Sequence, residues 1–360
     1  PASPRPRTTP TCLSSRCDGL IVNWLRAFTA KPYPPREAWG VVWRNLAGAS
    51  FANPAGLRFA PRTCTLNDIT PVMTLGFGGD VMSMFGRQLH VNDSVRLFFQ
   101  DCDHVVLNFE GVISDQRQIS PDQKHTRPIL DALCQMAPRE RLLLSMANNH
   151  TGDFGEAECR NCLALLSAEG FRHFGLLESP FFDLTPSVRV VTGTRWSNRT
   201  GQHLSWLNDP TVHARTGALN ILYPHWGYEL EVYPRQPLVD QMTQWLQPFD
   251  AVVGHHSHTP QPINTWRGTD GVGKLAAYSL GDLCFGMAYK RLPTFKNYVW
   301  GSVLKVSVGP LRSDPQRWAL GEMSWTFVEC VYRSRAEGFE VRTAPDCDLF
   351  QASAFESEAA

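Results

Sequence analysis

Six apolar runs, most of them closing on Gly, Asn, Asp or His, constrain this chain more than any other feature. They are VMTLGFGGD (72–80), HVVLNFEG (104–111), RLLLSMANNH (141–150), ALNILYPHWG (218–227), DAVVGHHSH (250–258) and KLAAYSLGD (274–282). Continuous apolar runs suit strands buried on both faces. Between them, residues 130–136, 156–169 and 237–245 space their apolar side chains as amphipathic helices do. Strand and helix alternating in this way predicts an α/β fold with helices outside the sheets. Residues 302–308 and 323–333 alternate apolar and polar side chains, as more exposed or antiparallel strands would.

The flanks read differently. Residues 1–16 are rich in Pro, Ser, Thr and Arg and are expected to be disordered. From about 19 to 68, Trp24, Trp39, Trp43, Phe51 and Phe59 stand among Pro and Gly. Aromatics of that size call for a surface to cover, so an extension packed on the main body is expected. The small, acidic tail after about 348 is expected to fray. The division that follows is an N-terminal extension (1–68), a main domain (69–340) and a C-terminal tail (341–360). Hydrophobic residues make up 43% of the 360, enough for a sizeable core.

Lys plus Arg equals Asp plus Glu at 34 each, so no net charge argues for nucleic acid or an anionic membrane as a partner. No run approaches the ~20 apolar residues of an integral membrane segment. The chain begins at Pro1. Read alone it is expected in the cytoplasm; a signal or anchor ahead of Pro1 would place it outside the cell or at the membrane. Cys159 and Cys162 form a CxxC within a helical pattern. With no second CxxC to complete a zinc site, the preferred reading is two thiols on adjacent helix faces, one of them buried. Cys12 and Cys17 could pair within the N-terminal leader.

The ends of the runs carry the chemistry. Asp80, Glu110, Asn149 with His150, His225, and His256 with His258 stand at the carboxyl ends of the first five. In α/β folds ligands bind there, because loops from several strands converge. Mixed carboxylate and imidazole donors suit Mn, Fe, Zn or Co better than Ca or Mg alone. His256 and His258, two apart, point the same way if their segment is extended. Each residue also has a plainer reading. Asp80 after two glycines suits a helix N-cap or turn, and Glu110 a cap. Asn148-Asn149-His150 suits a turn, and His225 could simply pack on Trp226. The run His255-His256-Ser257-His258 is the hardest to read as bland.

In this order the motifs resemble the poly-gamma-glutamate capsule biosynthesis (CapA) family, a branch of the calcineurin-like metallophosphoesterase superfamily. The motifs are Gly79-Asp80, Asn108-Phe109-Glu110-Gly111, Ala147-Asn148-Asn149-His150 with Asp153-Phe154-Gly155, and Gly170-Phe171 with Gly175. They continue as His225-Trp226-Gly227 with Glu229, Gly254-His255-His256-Ser257-His258, and Tyr278-Ser279-Leu280-Gly281-Asp282. The resemblance spans about 72 to 310. It implies a four-layer α/β/β/α sandwich with mixed sheets and a metal site at the strand ends. By analogy Asp80, Glu110, Asn149, His225, His256 and His258 would ligate one or two divalent ions (Mn, Fe or Zn), with Glu110 bridging. His150 would protonate a leaving group, and Asp80 would share in catalysis. His255 is left outside the ligand set. Where the superfamily opens with Asp-x-His, Asp80 is followed here by Val81-Met82; Ser257 replaces a Pro and Asp282 an Asn.

What the resemblance implies is a metal-dependent hydrolase acting on a phosphoester or polyglutamyl-type amide in capsule polymer biosynthesis, with a small-molecule or polyglutamate-like substrate. The alternative is a non-catalytic metal- or anion-binding accessory protein in a polymer synthase or exporter complex. A third reading has the strand-end residues only capping turns.

Overall fold

The computed structural model describes residues 33–118, 121–289 and 296–356. Helix α1 (Pro35–Ala47) is followed by β1 (Thr63–Thr65), β2 (Met73–Val81), β3 (Leu89–Val91), α2 (Asp93–Phe99) and β4 (His104–Phe109). Next come the short β5 (Val112–Ile113) and β6 (Lys124–His125), then α3 (Pro128–Cys134), β7 (Leu142–Ser145), α4 (Gly155–Ala168) and β8 (Arg172–Phe174). Strands β9 (Phe181–Thr185), β10 (Val188–Thr194) and β11 (Leu219–His225) precede α5 (Gln236–Trp245). The chain closes with β12 (Ala251–Val253), β13 (Ile263–Arg267), β14 (Gly273–Ala277), β15 (Asp282–Cys284), β16 (Trp300–Pro310), β17 (Trp318–Ser334) and β18 (Gly338–Ala344). All six apolar runs of the sequence therefore contribute a strand, and all three amphipathic stretches a helix.

The strands form two large sheets. One has ten strands, with the path β3-β18-β17-β16-β2-β4-β7-β8; β1 pairs with β17 and β15 with β2. Its β2-β4-β7-β8 half is parallel. The β2-β16-β17-β18 half is antiparallel, as the alternating pattern of residues 302–308 and 323–333 predicts. The other sheet runs β13-β14-β12-β11-β10-β9 and is parallel across β10, β11, β12 and β14.

Side-chain alternation shows how the layers stack. Ile221, Tyr223, Val253 and Ala277 join the core shared with the ten-stranded sheet. Their neighbours Leu222, Val252, Ala276 and Tyr278 pack instead with Leu238, Met242 and Trp245 of α5. Each of those α5 side chains is nearly fully buried, worth about 1.5–3 kcal/mol apiece against exposure. On the other side α4 buries Cys159, Cys162, Leu163 and Leu166, a helical stripe. The fold is thus a four-layer α/β/β/α sandwich with mixed sheets. Polar contacts also stitch the sheets together: among them, Tyr223 Oη donates to Gly78 O at 2.5 Å, and the Ser145 and Thr192 hydroxyls meet at 2.9 Å.

Both thiols of the CxxC are buried, rather than one. Burial pushes Cys159 up to about 12 and Cys162 to about 11, so they are core thiols and not a redox pair. Cys12, Cys17 and the stretch 1–16 lie outside the described residues. The extension does pack on the body in part: Phe59 is fully buried and stacks on Trp325 at 5.0 Å. Trp24 lies outside the described residues, and the two described tryptophans of the extension depart from expectation. Trp39 is 75% exposed and Trp43 69%, because α1 turns that face outward and fastens itself by ions instead. The tail departs too. Phe350 and Phe355 contact Phe59 at 4.7 and 5.4 Å, so the chain is packed well beyond 348.

Candidate metal centre

The carboxyl ends of the parallel strands from both sheets meet at one point. Gly79 makes the close approach possible. A Cβ there would lie 1.8 Å from Gly281 O, the same carbonyl that accepts from Asp80 N at 2.9 Å. Asp80 follows inside β2, neither a cap nor a turn, and is fully buried. One carboxylate oxygen accepts from Asn108 Nδ2 at 2.7 Å and lies 3.1 Å from His255 Nδ1. The other accepts from the backbone N–H of His256 at 2.9 Å.

Glu110 directly follows β4, and its side chain caps no helix. Oε2 accepts from Asn108 Nδ2 at 3.2 Å. Oε1 is buried without a hydrogen-bond partner. Around it stand three imidazole nitrogens: Nε2 of His150 at 3.8 Å, and Nε2 of His225 and of His258 at 4.0 Å each.

The loop after β7 divides its roles. Asn148 is the turn residue: its Oδ1 accepts from the backbone of His150 and Thr151 at 3.2 and 3.0 Å. Asn149 points into the cluster, where its Oδ1 lies 2.8 Å from His225 Nε2. His150 Nδ1 lies 2.6 Å from Asp153 Oδ2, which leaves Nε2 as the end toward Glu110. His225, at the end of β11, is fully buried among these groups, so packing on Trp226 is not its environment.

The run after β12 corrects the sequence reading in two ways. It is not extended: His256 has φ 98° and His258 φ 55°, a left-handed conformation that non-glycine residues rarely adopt. Asp80 holding His256 N, and Ser257 O accepting from Leu230 N at 2.8 Å, stabilise that shape. The turn nevertheless brings both rings inward. His255, set aside earlier, also belongs to the cluster: its Nδ1 is 2.9 Å from His225 Nδ1. Asp282 on β15 completes the group, its Oδ1 2.8 Å from His258 Nδ1.

Three sets of these residues hold potential ligand atoms within 4.8 Å of one another: Asp80-His225-His255, Glu110-His225-His256 and Asp80-Glu110-His258. Glu110 Oε1, His255 Nε2, His256 Nδ1 and Asp282 Oδ2 are buried without partners. Orphaned buried acceptors are costly, and a divalent cation is the species that carboxylate and imidazole donors jointly satisfy. The residues present therefore fit a metal.

The electrostatics without metal show the same tension. Burial, with Asp80, Asp282 and Glu229 adding like charge, holds Glu110 well above the usual carboxylate range. Burial and the neighbouring histidines push His225 and His256 well below the ordinary imidazole value. Burial opposes charge on His258 as well, but Asp282, Glu110 and Asp80 outweigh it and hold that ring well above its usual value. Burial would raise Asp80, yet its hydrogen bond to His255, the charges of His255 and His258, and Asn108 bring it down to about 2. Burial raises Asp282 to about 7 against the pull of His258.

The sequence reading missed three further participants. Asn108 lay inside the quoted Asn-Phe-Glu-Gly and was legible there. Asn198, whose Oδ1 accepts from Asn149 Nδ2 at 3.3 Å, sits in a loop with no local signal. Tyr33 is 6% exposed and reaches His256 Nε2 with its hydroxyl at 2.5 Å.

The chain is similar to known proteins. The family described as "Bacterial capsule synthesis protein PGA_cap" matches residues 74–198 and 204–287, more than half of the chain. These stretches contain Asp80, Glu110, Asn149, His150, His225, His256 and His258. "PGA biosynthesis protein CapA" of Bacillus subtilis (strain 168) is 22% identical over 279 residues, covering 66% of this chain and 69% of that protein. Among solved structures, a hypothetical protein from Thermus thermophilus aligns with 14% identity and a TM-score of 0.41, covering 71% of this chain and 99% of that one.

Proposed function

Because the chain belongs to the bacterial capsule synthesis protein PGA_cap family, within the metallophosphoesterase-like superfamily, we propose that it is a metal-dependent hydrolase serving capsule polymer biosynthesis. The substrate class is a phosphoester or a polyglutamyl-type amide, and the unit that carries the activity is residues 69–340. Asp80, Glu110, Asn149, His225, His256 and His258 hold one or two divalent ions (Mn, Fe or Zn), and His255 joins them. The observation that carries this reading is Glu110 Oε1, buried and unpartnered, with imidazole nitrogens at 3.8 and 4.0 Å around it.

A bound cation supplies Lewis-acid stabilisation of the negative charge that develops on the substrate oxygens. The chain's own residues do the rest. Asp153 accepts from the Nδ1–H of His150 and fixes the ring with Nε2 facing the centre; the ring acts as an acid in its doubly protonated form, giving up the Nε2 proton. From there His150 protonates the leaving group. Asp80 holds the His255–His258 turn in place through His256 N. The rest of the cluster is almost fully buried, which keeps water other than the reacting one away.

That same burial favours a second reading, a non-catalytic metal- or anion-binding accessory protein of a polymer synthase or exporter. One experiment separates the two. Protein purified without chelator is assayed for Mn, Fe and Zn and for hydrolysis of an aryl phosphate and a γ-glutamyl amide. His150→Ala is expected to keep its metal and lose about 10²–10⁴-fold in kcat. Metal without turnover on either substrate supports the accessory reading, and no metal removes the hydrolase and the metal-binding form of the second reading. Among the described residues no helix is long and apolar enough to cross a membrane.

A further inference from the structure

We propose that Tyr33, brought in by the segment ahead of α1, is a positioning residue that decides which ring nitrogen of His256 is offered to a metal. The inference rests on the metal reading above and deepens it. Tyr33 packs edge-on against Trp196, with ring centroids 4.7 Å apart, and beside Tyr228 at 6.3 Å. Among the described residues its hydroxyl makes two contacts, 3.1 Å to Glu229 Oε1 and 2.5 Å to His256 Nε2.

A phenol has one proton to give. The Glu229 carboxylate can only accept, so the proton goes there. Toward His256 the phenol oxygen must then accept, which places the imidazole hydrogen on Nε2 and leaves Nδ1 as a bare lone pair. His256 Nδ1 is buried and unpartnered, as a nitrogen awaiting a cation would be. The opposite arrangement fails on cost. A hydrogen on Nδ1 would be a buried donor with no acceptor, and Glu229 would lose its donor as well. His256 belongs with Glu110 and His225 to one of the sets able to hold an ion. A hydrogen bond to the far nitrogen of a ligating histidine is what fixes its tautomer and ring orientation.

The extension is fastened so that Tyr33 stays in place. Arg44 of α1 donates to Glu229 O at 2.6 Å and pairs with Glu37 at 2.9 Å and Glu231 at 3.3 Å. Arg235 pairs with Glu37 at 2.8 Å. Tyr298 Oη donates to Asn45 Oδ1 at 2.8 Å. The helix is thus buckled to the loop that carries Glu229. Tyr33 lies ahead of the family-matched residues 74–198 and 204–287, so this support of the centre comes from the chain's own extension.

The test keeps the ring and removes the oxygen. Mn²⁺ and Zn²⁺ affinities of the full chain are measured by competition with a chromogenic chelator for wild type, Tyr33→Phe, Glu229→Gln and the double variant. Tyr33→Phe is expected to bind about 10–100-fold more weakly. Glu229→Gln is expected to weaken binding too, but to add little in the Tyr33→Phe background, since both act through one chain of hydrogen bonds. In the metal-free protein, ¹⁵N shifts of His256 should report the Nε2–H tautomer in wild type and a loss of that preference in Tyr33→Phe. Uptake by wild type with unchanged affinity in Tyr33→Phe, or a wild-type Nδ1–H tautomer, overturns this inference alone. A wild-type chain that takes up neither metal overturns the metal reading and this inference with it.

Discussion

The two sheets bring different chemistry to the same point. The six-stranded sheet supplies imidazoles: His225 from the end of β11, and His255, His256 and His258 from the turn after β12. The ten-stranded sheet supplies carboxylates and amides: Asp80, Asn108, Glu110, Asn149 and Asp282, with His150 as its one imidazole. Each set alone is under strain. Burial and mutual repulsion push His225 and His256 down and Glu110 up. Set against each other, they compensate, and the carboxylates of the large sheet hold His258 well above its usual value despite its burial. The centre is therefore a property of the interface between sheets, and what disturbs sheet docking should disturb metal binding with it.

The largest expected effect is on the crossover between the sheets, where residues 278–281 run from β14 of the six-stranded sheet to β15 of the ten-stranded one. Gly79→Ala would drive a Cβ into Gly281 O, a backbone atom that cannot step aside, and part β15 from β2. The variant is expected to show no cooperative unfolding transition by circular dichroism; a native-like transition would mean that the close approach is not needed. Next in size is Asp80→Ala. It strips His256 N and Asn108 Nδ2 of an acceptor and leaves His255 without its neighbouring carboxylate, while His258 keeps Asp282 and Glu110. A loss of about 3–5 kcal/mol in denaturant unfolding is expected, together with loss of bound metal. Stability unchanged with metal lost would show that Asp80 serves the ion alone.

His125 sharpens the comparison from the carboxylate side. It is buried against Phe109, at 4.1 Å between ring centroids, and bonds Glu110 O at 3.0 Å. Burial pushes it down to about 3, from an ordinary value of 6.5. Between those values the unfolded chain binds a proton that the folded chain refuses. Its contribution to stability is therefore present above about pH 6.5 and lost as pH falls toward about 3, by up to about 1.4 kcal/mol per pH unit. His125→Gln is expected to flatten the acid limb of a stability-against-pH series by that amount. The smallest effect is expected furthest from either sheet's inner face. Trp39→Ala and Trp43→Ala on the outer side of α1 should change unfolding free energy by less than about 0.5 kcal/mol and leave metal affinity alone.

Much of this was legible in the sequence, for a local reason. A strand buried on both faces needs a continuous apolar run, and a helix on a sheet needs one apolar stripe; β2, β4, β7, β11, β12 and β14 and helices α3, α4 and α5 all follow from such patterns. The polar residues at the run ends were equally visible, because parallel strands deliver their carboxyl ends to one side. What the sequence alone determined is thus the set of elements and the kinds of donor they carry. The tertiary structure decided how the donors are aimed. His256 and His258 are two residues apart, which suggested an extended segment; Asp80, distant in sequence, holds them in a left-handed turn that also brings His255 into the cluster. Trp39 and Trp43 looked like anchors, yet the ion pairs of Arg44 and Glu37 hold their helix and leave them outside. Tyr33, an aromatic among prolines, carried no local sign of its place beside His256. Periodicity encodes which face of an element is buried, whereas the partner met across an interface depends on contacts between distant parts of the chain, which no local pattern records.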